Sequence, residues 1–307
     1  MKVLVCDPID KESVEGLKKI PGFTVEVKTG MTKEELIKVV PDYNVLIVRS
    51  ATKVTKEVIE AGKNLKIVLR GGVGMDNIDI PAAKAKNITV DNTPEASSIS
   101  VAELTLGMML SMARKLHVAD ASTKQSKWEK KKFEGSELYQ KTLGLIGIGR
   151  IGSEVAKRCQ AFGMSVIAYD PYIKPDMAKQ MNVTLTSNLD ELYSKADYIS
   201  LHIPLTKETT NMLSTAQFEK MKNGVRIVNC ARGGIIDETA LANAIKAGKV
   251  AGVALDVYSQ EPVPADSPLL KLEQCLLTPH VGASTFEGQA RVGGALVKKL
   301  KDLTGKN

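Results

Sequence analysis

Three side chains in the second half of the chain could act together on a small acid. Arg232, Glu261 and His280 each follow shortly after an apolar run that predicts a β-strand. Because ligands bind at the carboxyl ends of strands in open parallel sheets, we expect the three to lie close together. A histidine exchanges protons near neutral pH, a carboxylate orients its ring, and an arginine fork holds a substrate carboxylate. The set predicts hydride transfer on a 2-keto or 2-hydroxy acid, with His280 as acid and base, Glu261 as its partner and Arg232 as the anchor.

Each of these residues also has an alternative interpretation. Arg232 lies between small residues and could be a charge on a surface turn, and Glu261 could belong to the first turn of a helix. His280 alone could be structural. Asp256, directly after the apolar run 252–255, could contact the nicotinamide side of a cofactor or cap the next turn. The conjunction of the three types at neighbouring strand ends favours the catalytic interpretation.

A glycine-rich turn near the middle of the chain predicts the cofactor. The apolar run 142–146 leads into Gly147-Ile148-Gly149-Arg150-Ile151-Gly152, which is followed by a helical pattern over 154–162 and by a second apolar run that ends at Asp170. Strand, G-x-G-x-x-G turn, helix, strand and acidic residue together are typical of dinucleotide binding. The helix N-terminus attracts the pyrophosphate, and Asp170 would bind the adenine ribose and repel a 2′-phosphate. The sequence therefore predicts NAD rather than NADP; a turn needed only for packing is the alternative.

The two other histidines carry weaker signals. His202 ends a predicted strand in Leu201-His202-Ile203-Pro204, where it could line the cofactor cleft or be satisfied in the core. His117 follows a long apolar helix, and we expect it at the C-terminal end of that helix, where it would complement the helix dipole.

The elements that position these residues form two units in which strands and helices alternate. In the first ninety residues, strands are predicted at 2–6, 24–27, 45–48, 66–69 and 89–90, and helices at 11–19, 33–40, 56–61 and 80–86. Beyond an apolar helix predicted at 98–112, further strands are predicted at 142–146, 165–169, 198–201, 225–229, 252–255 and 276–277, and a last helix at 285–303. This alternation is typical of α/β domains built on parallel sheets.

The composition is that of an ordinary globular protein. The 307 residues are 43% hydrophobic and 25% charged, which suggests about two domains with their own cores. No apolar run reaches the roughly 20 residues needed to span a bilayer, and the first residues lack the pattern of a signal peptide. We therefore predict a cytoplasmic protein that does not bind a membrane.

The distribution of charge and the spacing of the cysteines indicate which kinds of ligand and partner to expect. The net charge of +7 is spread along the chain, and the densest basic run, 127–133, is short and contains an acid. This favours a small anionic substrate over nucleic acid. The four cysteines are far apart and lack metal-ligand spacing, so we predict reduced thiols and no metal. The helix at 98–112 is too hydrophobic to face water, which predicts a homodimer formed through residues 98–140.

Several motifs resemble those of the D-isomer-specific 2-hydroxyacid dehydrogenases. The resemblance covers essentially the whole chain, and the motifs that carry it are Gly147-Ile148-Gly149-Arg150-Ile151-Gly152, Val228-Asn229-Cys230-Ala231-Arg232-Gly233-Gly234, Ala254-Leu255-Asp256-Val257, Glu261-Pro262 and Thr278-Pro279-His280. The resemblance implies an α/β fold of two doubly wound parallel-sheet domains. We expect a flavodoxin-like substrate domain from residues 1–97 and 284–307 and an inserted Rossmann NAD-binding domain at 98–283, with the catalytic cleft between them.

The glycine-rich turn at 147–152 (the fingerprint) and the family resemblance together indicate which residues touch the ligands. The expected NAD contacts are Val73, Gly147, Gly149, Arg150, Ile151, Gly152, Asp170, His202, Ile203, Pro204, Cys230, Ala231, Arg232, Asp256, His280, Gly282 and Ala283. The expected substrate contacts are Arg49, Ser50, Gly72, Val73, Asn77, Arg232 and His280. Arg49 and Ser50 follow a predicted strand and could meet a second anion, and the glycines at 71–74 could offer backbone N–H groups to a carboxylate. An exposed strand-end charge and a simple turn are the alternatives.

Within this family, the chain most resembles the members that oxidise 3-phospho-D-glycerate to 3-phosphohydroxypyruvate, the first step of the phosphorylated route to serine. The supporting motifs lie at 49–53, 71–79 and 127–138. We expect the short form of this enzyme, without the C-terminal regulatory domain of longer members. A reductase of glyoxylate, hydroxypyruvate or pyruvate is the nearest alternative, and a non-catalytic NAD-sensing protein is a more distant one.

Overall fold

The computed structural model describes residues 1–306, which divide into two α/β units. Unit 1 comprises Met1–Ser98 together with the chain from Ala283 onwards, and unit 2 comprises Ile99–Gly282. Asn307, which belongs to the substrate domain expected from the sequence, lies outside the described residues.

Unit 1 contains a five-stranded parallel sheet with the strand order β2-β1-β3-β4-β5. Its strands are β1 (Lys2–Val5), β2 (Thr24–Val27), β3 (Val45–Val48), β4 (Ile67–Arg70) and β5 (Thr89–Asn92). Its helices are α1 (Lys11–Lys18), α2 (Lys33–Val39), α3 (Lys56–Ala61), α4 (Ile80–Ala85) and the last helix (Phe286–Thr304). The order is that of flavodoxin, so the expected flavodoxin-like topology is confirmed.

The core of unit 1 follows from the alternation of side chains along its strands. In β3, Leu46 packs on the face covered by α2, α3 and α4, whereas Ile47 packs on the face covered by α1 and the last helix. Because both faces are covered, all four residues of β3 are buried, as expected for a parallel strand.

Unit 2 contains a seven-stranded parallel sheet with the order β12-β11-β10-β9-β6-β7-β8. Its strands are β6 (Thr142–Ile146), β7 (Ser165–Tyr169), β8 (Thr184–Leu185), β9 (Tyr198–Leu201), β10 (Val225–Asn229), β11 (Val250–Leu255) and β12 (Cys275–Leu277). Its helices are α5 (which begins at Ser98 and ends at Arg114), α6 (Leu116–Lys124), α7 (Arg150–Ala161), α8 (Pro175–Gln180), α9 (Leu189–Lys195), α10 (Thr215–Lys220) and α11 (Glu238–Lys246). The sheet is doubly wound in the Rossmann order with one added edge strand, which confirms the expected fold class.

Two local expectations were wrong. The helix after the glycine turn begins at Arg150 rather than at 154, because Gly152 lies inside the helix instead of ending the turn. His117 does not lie at the C-terminal end of α5. The backbone of Lys115 is left-handed (φ 53°), which separates α5 from α6, and His117 therefore belongs to the first turn of α6.

The apolar helix α5 contributes to the core of unit 2. Met108, Met109 and Met112 pack with Leu143 and Val228 of the sheet. No helix within residues 1–306 is long and apolar enough to cross a membrane. In the same part of the chain, no group of three or more histidine, cysteine, aspartate or glutamate side chains is arranged to hold a metal ion.

Candidate active site

The three residues assigned to catalysis lie at the carboxyl ends of three adjacent strands of unit 2. Arg232 follows β10, Glu261 follows β11 and His280 follows β12, and these strands are neighbours in the sheet. The structure joins two of them directly, because the Nδ1 atom of His280 lies 2.8 Å from Oε2 of Glu261. Arg232 lies at the same edge of the sheet, where its Nη1 donates a hydrogen bond to the carbonyl of Ala231 (2.6 Å).

The bond between His280 and Glu261 decides which ring nitrogen is available for chemistry. An ionised carboxylate can only accept a hydrogen bond, so Nδ1 carries a proton and the Nε2 lone pair faces outward. Within the described chain the two side chains are 43% and 38% exposed, so the pair adds little to stability. Its main effect is orientation. The other oxygen of Glu261 accepts the backbone N–H of Tyr258 (3.1 Å), which holds the carboxylate at both ends.

A buried carboxylate fixes the loop that carries His280. Asp256 is 1% exposed and accepts hydrogen bonds from the hydroxyl of Thr278 (2.5 Å) and the N–H groups of Val281 (2.8 Å) and Gly282 (2.8 Å). His280 has a positive φ of 55°, which is uncommon for a residue other than glycine and is held by the bonds on either side of it. These side-chain bonds of Asp256 go to the loop after β12 and not to the turn that follows Asp256 in sequence, and a contact with the cofactor stays a prediction.

The loop after β10 has a similar anchor that the sequence did not reveal. Asn229, the last residue of β10, is 2% exposed. Its side-chain amide donates to the carbonyl of Arg232 (2.8 Å), and its side-chain oxygen accepts the N–H of Ala231 (3.0 Å). A polar residue at the last position of a predicted strand was the available signal.

The glycines of the fingerprint have separate roles. Gly147 has a φ of 90°, and a Cβ there would lie 2.5 Å from the carbonyl oxygen of His202. A Cβ at Gly152 would lie 2.4 Å from the carbonyl oxygen of Gly147, so both glycines are required for packing. Gly149 differs, because a Cβ there would meet nothing within 4 Å. It caps α7 and leaves open space in front of the N-terminus of that helix, as a pyrophosphate requires.

Asp170 supports the same turn from the end of β7. Its Oδ2 accepts the N–H of Ile148 (2.9 Å), and its Oδ1 accepts the N–H of Tyr172 (2.9 Å). Each oxygen keeps a second acceptor position, so the expected bonds to ribose hydroxyls remain chemically possible.

His202, which lies beside this turn, and Cys230, which follows β10, are neutral groups. The Nε2 atom of His202 lies 2.9 Å from the Ser200 hydroxyl, and its Nδ1 is buried without a partner. Burial lowers the pKa of His202 from 6.5 to about 4, so the imidazole is neutral at physiological pH and unsuited to acid catalysis. Burial raises the pKa of the Cys230 thiol to about 12.

The remaining cofactor candidates belong to both units. Arg150 and Ile151 begin α7, Ile203 and Pro204 follow β9, and Ala231 lies in the loop after β10. Gly282 is the last residue of unit 2, whereas Ala283 and Val73 belong to unit 1.

The substrate candidates Arg49, Ser50, Gly72, Val73 and Asn77 all lie in unit 1, after β3 and β4. Arg49 Nη1 donates to the carbonyl of Pro8 (3.3 Å) and the side-chain oxygen of Gln289 (3.2 Å), and its Nε is buried without a partner. Ser50 is exposed and Val73 is half-buried.

Two backbone N–H groups of the glycine run at 71–74, which the sequence suggested for binding a substrate carboxylate, are bonded within the protein. The N–H of Gly71 donates to Val48 (2.8 Å) and that of Gly72 donates to the Thr93 hydroxyl (2.9 Å), so these two donors are engaged within the sheet edge. A Cβ at Gly72 would lie 2.1 Å from Nη1 of Arg70, whose guanidinium therefore lies across this glycine. Arg70 was missed because it ends a strand and belongs to no motif used above.

Comparisons with known proteins agree on one family. A model described as "D-isomer specific 2-hydroxyacid dehydrogenase, NAD binding domain" matches residues 106–282. D-3-phosphoglycerate dehydrogenase of Archaeoglobus fulgidus is 53% identical over 303 residues, which are 99% of this chain and 57% of the relative. The chain thus spans about half the length of such relatives. Hydroxypyruvate reductase of Thermotoga maritima is 51% identical over 302 residues, 97% of each protein.

Solved structures lead to the same family. D-lactate dehydrogenase of Aquifex aeolicus, in complex with NAD and lactic acid, superposes with a TM-score of 0.87 at 31% identity and covers 99% of this chain and 96% of its own. A glyoxylate reductase from Paecilomyes thermophila gives a TM-score of 0.89 at 30% identity, with 98% and 94% covered.

Alanine at two glycines of the turn should separate folding from cofactor binding. Gly152→Ala should lower the free energy of unfolding by about 1–3 kcal/mol, because the added methyl group meets the Gly147 carbonyl. Gly149→Ala should leave stability nearly unchanged but weaken NADH binding by at least about tenfold, since the methyl group occupies the open space before α7. Urea unfolding and a fluorescence titration with NADH measure the two effects. Wild-type NADH affinity in Gly149→Ala would show that the turn is not the cofactor site.

The buried imidazole predicts a pH dependence of stability. Between pH 6.5 and about 4 the unfolded chain binds a proton at His202 that the folded chain does not, so stability falls as pH falls through this window. The full loss is about 3 kcal/mol. Urea unfolding of wild type and His202→Gln, at about pH 7.5 and about pH 4.5, should show the larger loss in wild type. The same loss in both proteins would contradict a buried neutral imidazole.

Proposed function

The chain belongs to the D-isomer-specific 2-hydroxyacid dehydrogenases, and we propose that within this family it oxidises 3-phospho-D-glycerate to 3-phosphohydroxypyruvate with NAD. Residues 106–282 are an NAD-binding domain, and they coincide with most of unit 2. The observation that carries the proposed chemistry is the 2.8 Å contact between His280 and Glu261 at the strand ends of this domain.

The residues of unit 2 fit the cofactor. The space in front of Gly149 and the N-terminus of α7 suits a pyrophosphate, and Asp170 keeps acceptor positions for ribose hydroxyls. When bound, NAD supplies the acceptor for the hydride that leaves C2 of the substrate. The half-buried Arg232 can hold the substrate carboxylate by a paired hydrogen bond.

His280 would act as the general base and the general acid in this reaction. During oxidation Nε2 takes the proton of the C2 hydroxyl, and during reduction the imidazolium returns it to the carbonyl oxygen. Glu261 holds the ring in place through its bond to Nδ1. The bonds from Asp256 fix the loop, so little motion is needed before the proton moves.

Unit 1 would select the substrate. Arg49 follows β3 and Arg70 ends the neighbouring strand β4, so two positive charges lie at one edge of the sheet. Arginine forks are well suited to phosphate, and this supports a phosphorylated substrate. Hydroxypyruvate reduction is the second candidate, because a relative of that name is 51% identical and matches over 97% of both chains.

We also propose that two copies associate through residues 98–140. Trp128 is 87% exposed and Leu116 is 53% exposed in this region. Residues next to them in sequence line a cavity of about 670 Å³, together with Met112, Val118, Phe133 and other residues of unit 2. Exposed apolar side chains beside a large cavity are typical of an interface between subunits.

The substrate assignment has a direct test. NADH consumption should be measured with phosphohydroxypyruvate, hydroxypyruvate, glyoxylate and pyruvate under the same conditions. We expect phosphohydroxypyruvate to have the highest kcat/KM, by at least about tenfold, because only it carries a phosphate for the arginines of unit 1. A higher kcat/KM for hydroxypyruvate would replace the proposed reaction with the second candidate. Turnover of none of the four would refute the dehydrogenase assignment.

The proton-transfer role predicts a specific defect in His280→Gln. Glutamine fills the same space but cannot take a proton, so kcat should fall by about 10²–10⁴-fold while the dissociation constant of NADH changes little. Steady-state kinetics and an NADH fluorescence titration give the two numbers. Parallel losses of kcat and NADH affinity would indicate that His280 is structural.

A further inference from the structure

The turn that carries Arg49 is tied to the sheet edge by Asp7. This turn, residues 49–52, follows β3, and Asp7 lies just beyond the end of the neighbouring strand β1. One oxygen of Asp7 accepts the N–H groups of Arg49 (2.5 Å) and Thr52 (3.2 Å), and the other accepts the Thr52 hydroxyl (2.7 Å). Three donors from one turn therefore converge on a single carboxylate.

Asn77 ties the opposite side of the same turn. Its side-chain amide donates to the carbonyl oxygens of Arg49 (2.7 Å) and Thr52 (2.6 Å). Both hydrogens of that amide are thus used within the protein. The first and last residues of the turn are held through their carbonyls by Asn77 and through their N–H groups by Asp7.

The burial of Asp7 gives these bonds their strength. The residue is 3% exposed, and no ion pair joins it to a lysine, arginine or histidine among the hydrogen bonds and salt bridges of residues 1–306. Hydrogen bonds from the turn are therefore what balance the buried carboxylate. Any movement of the turn would leave that carboxylate without donors, so the backbone of Arg49 has one strongly preferred position.

Two further hydrogen bonds hold the guanidinium of Arg49. Nη1 of Arg49 donates to the carbonyl of Pro8, the residue after Asp7, and to the side chain of Gln289 on the last helix. Residues just after β1 therefore hold both the backbone and the charged end of Arg49. Asp7 itself sits behind the turn and has no part in the chemistry assigned to unit 2.

We propose that Asp7 is a positioning residue for substrate recognition, which acts by fixing the turn from which Arg49 meets the substrate's distal anionic group. The proposal rests on the function proposed above, since it requires Arg49 to contact an anion. It assigns Asp7 a role in affinity and specificity, separate from proton and hydride transfer.

The test compares Asp7→Asn with a matched control, Asp10→Asn. Asp10 accepts the N–H and the hydroxyl of Ser13 at the start of α1, a bond pattern similar to that of Asp7 in a place that does not touch the Arg49 turn. In Asp7→Asn, KM for the preferred keto acid should rise by about tenfold, with kcat and the NADH dissociation constant within about twofold of wild type. Asp10→Asn should lower thermal stability without this change in KM.

A milder variant covers the case in which Asp7→Asn does not fold. Thr52→Val removes one of the three donors and keeps the side-chain volume, so KM for the keto acid should rise by about threefold at unchanged kcat. A wild-type KM in both variants, or equal losses in kcat, KM and NADH affinity, would overturn the positioning role.

The substrate comparison keeps the two proposals distinguishable. If wild type does not prefer phosphohydroxypyruvate over hydroxypyruvate, the proposed function fails. A rise in KM for phosphohydroxypyruvate in Asp7→Asn would still support the role of Asp7, and an unchanged KM for that acid would overturn it. If wild type does prefer the phosphorylated acid, Asp7→Asn should lose most of that preference. Retention of the full preference would overturn the proposal for Asp7.

Discussion

Hydrogen bonds from backbone N–H groups to an aspartate at the end of a neighbouring strand are the interaction on which both units depend. Asp7 after β1, Asp170 after β7 and Asp256 after β11 each accept such bonds from a loop that leaves an adjacent strand. Parallel strands bring their carboxyl ends to one edge, where the loops lack partners of their own. The three carboxylates supply those partners and thereby set the positions of Arg49, the glycine turn and His280.

This arrangement explains how a site built from loops can be precise. The side chain of His280 is partly exposed and its ion pair with Glu261 contributes little to stability, yet the loop that carries it is fixed by a buried carboxylate. Folding orients the ring in advance, so the conformational entropy of the ring does not have to be lost in each turnover. The same division would apply to Arg49, whose backbone is held by Asp7 and whose charged end we propose to meet an anion.

The sequence predicted what depends on local pattern and missed what depends on contacts distant in the chain. The strand–turn–helix at Gly147 and the two parallel sheets follow from periodicity and glycine spacing, and the structure confirms them. The bonds of Asp7 to the Arg49 turn span more than forty residues, and no spacing rule reveals them. The break at Lys115 was missed because a left-handed lysine has no sequence signal, and the N–H of Gly72 was counted as available because its partner, Thr93, lies on another strand end.

In the proposed mechanism, Glu261 and the loop held by Asp256 present Nε2 of His280 as the reactive nitrogen. The ¹⁵N NMR spectrum of the imidazole tests it most directly, and the chain has only three histidines, so a His280→Gln spectrum assigns the signals. In the neutral ring, we expect a protonated Nδ1 and an unprotonated Nε2. A neutral ring with its proton on Nε2 would rule out this role for His280, because the lone pair would then face Glu261 and no base would face the substrate.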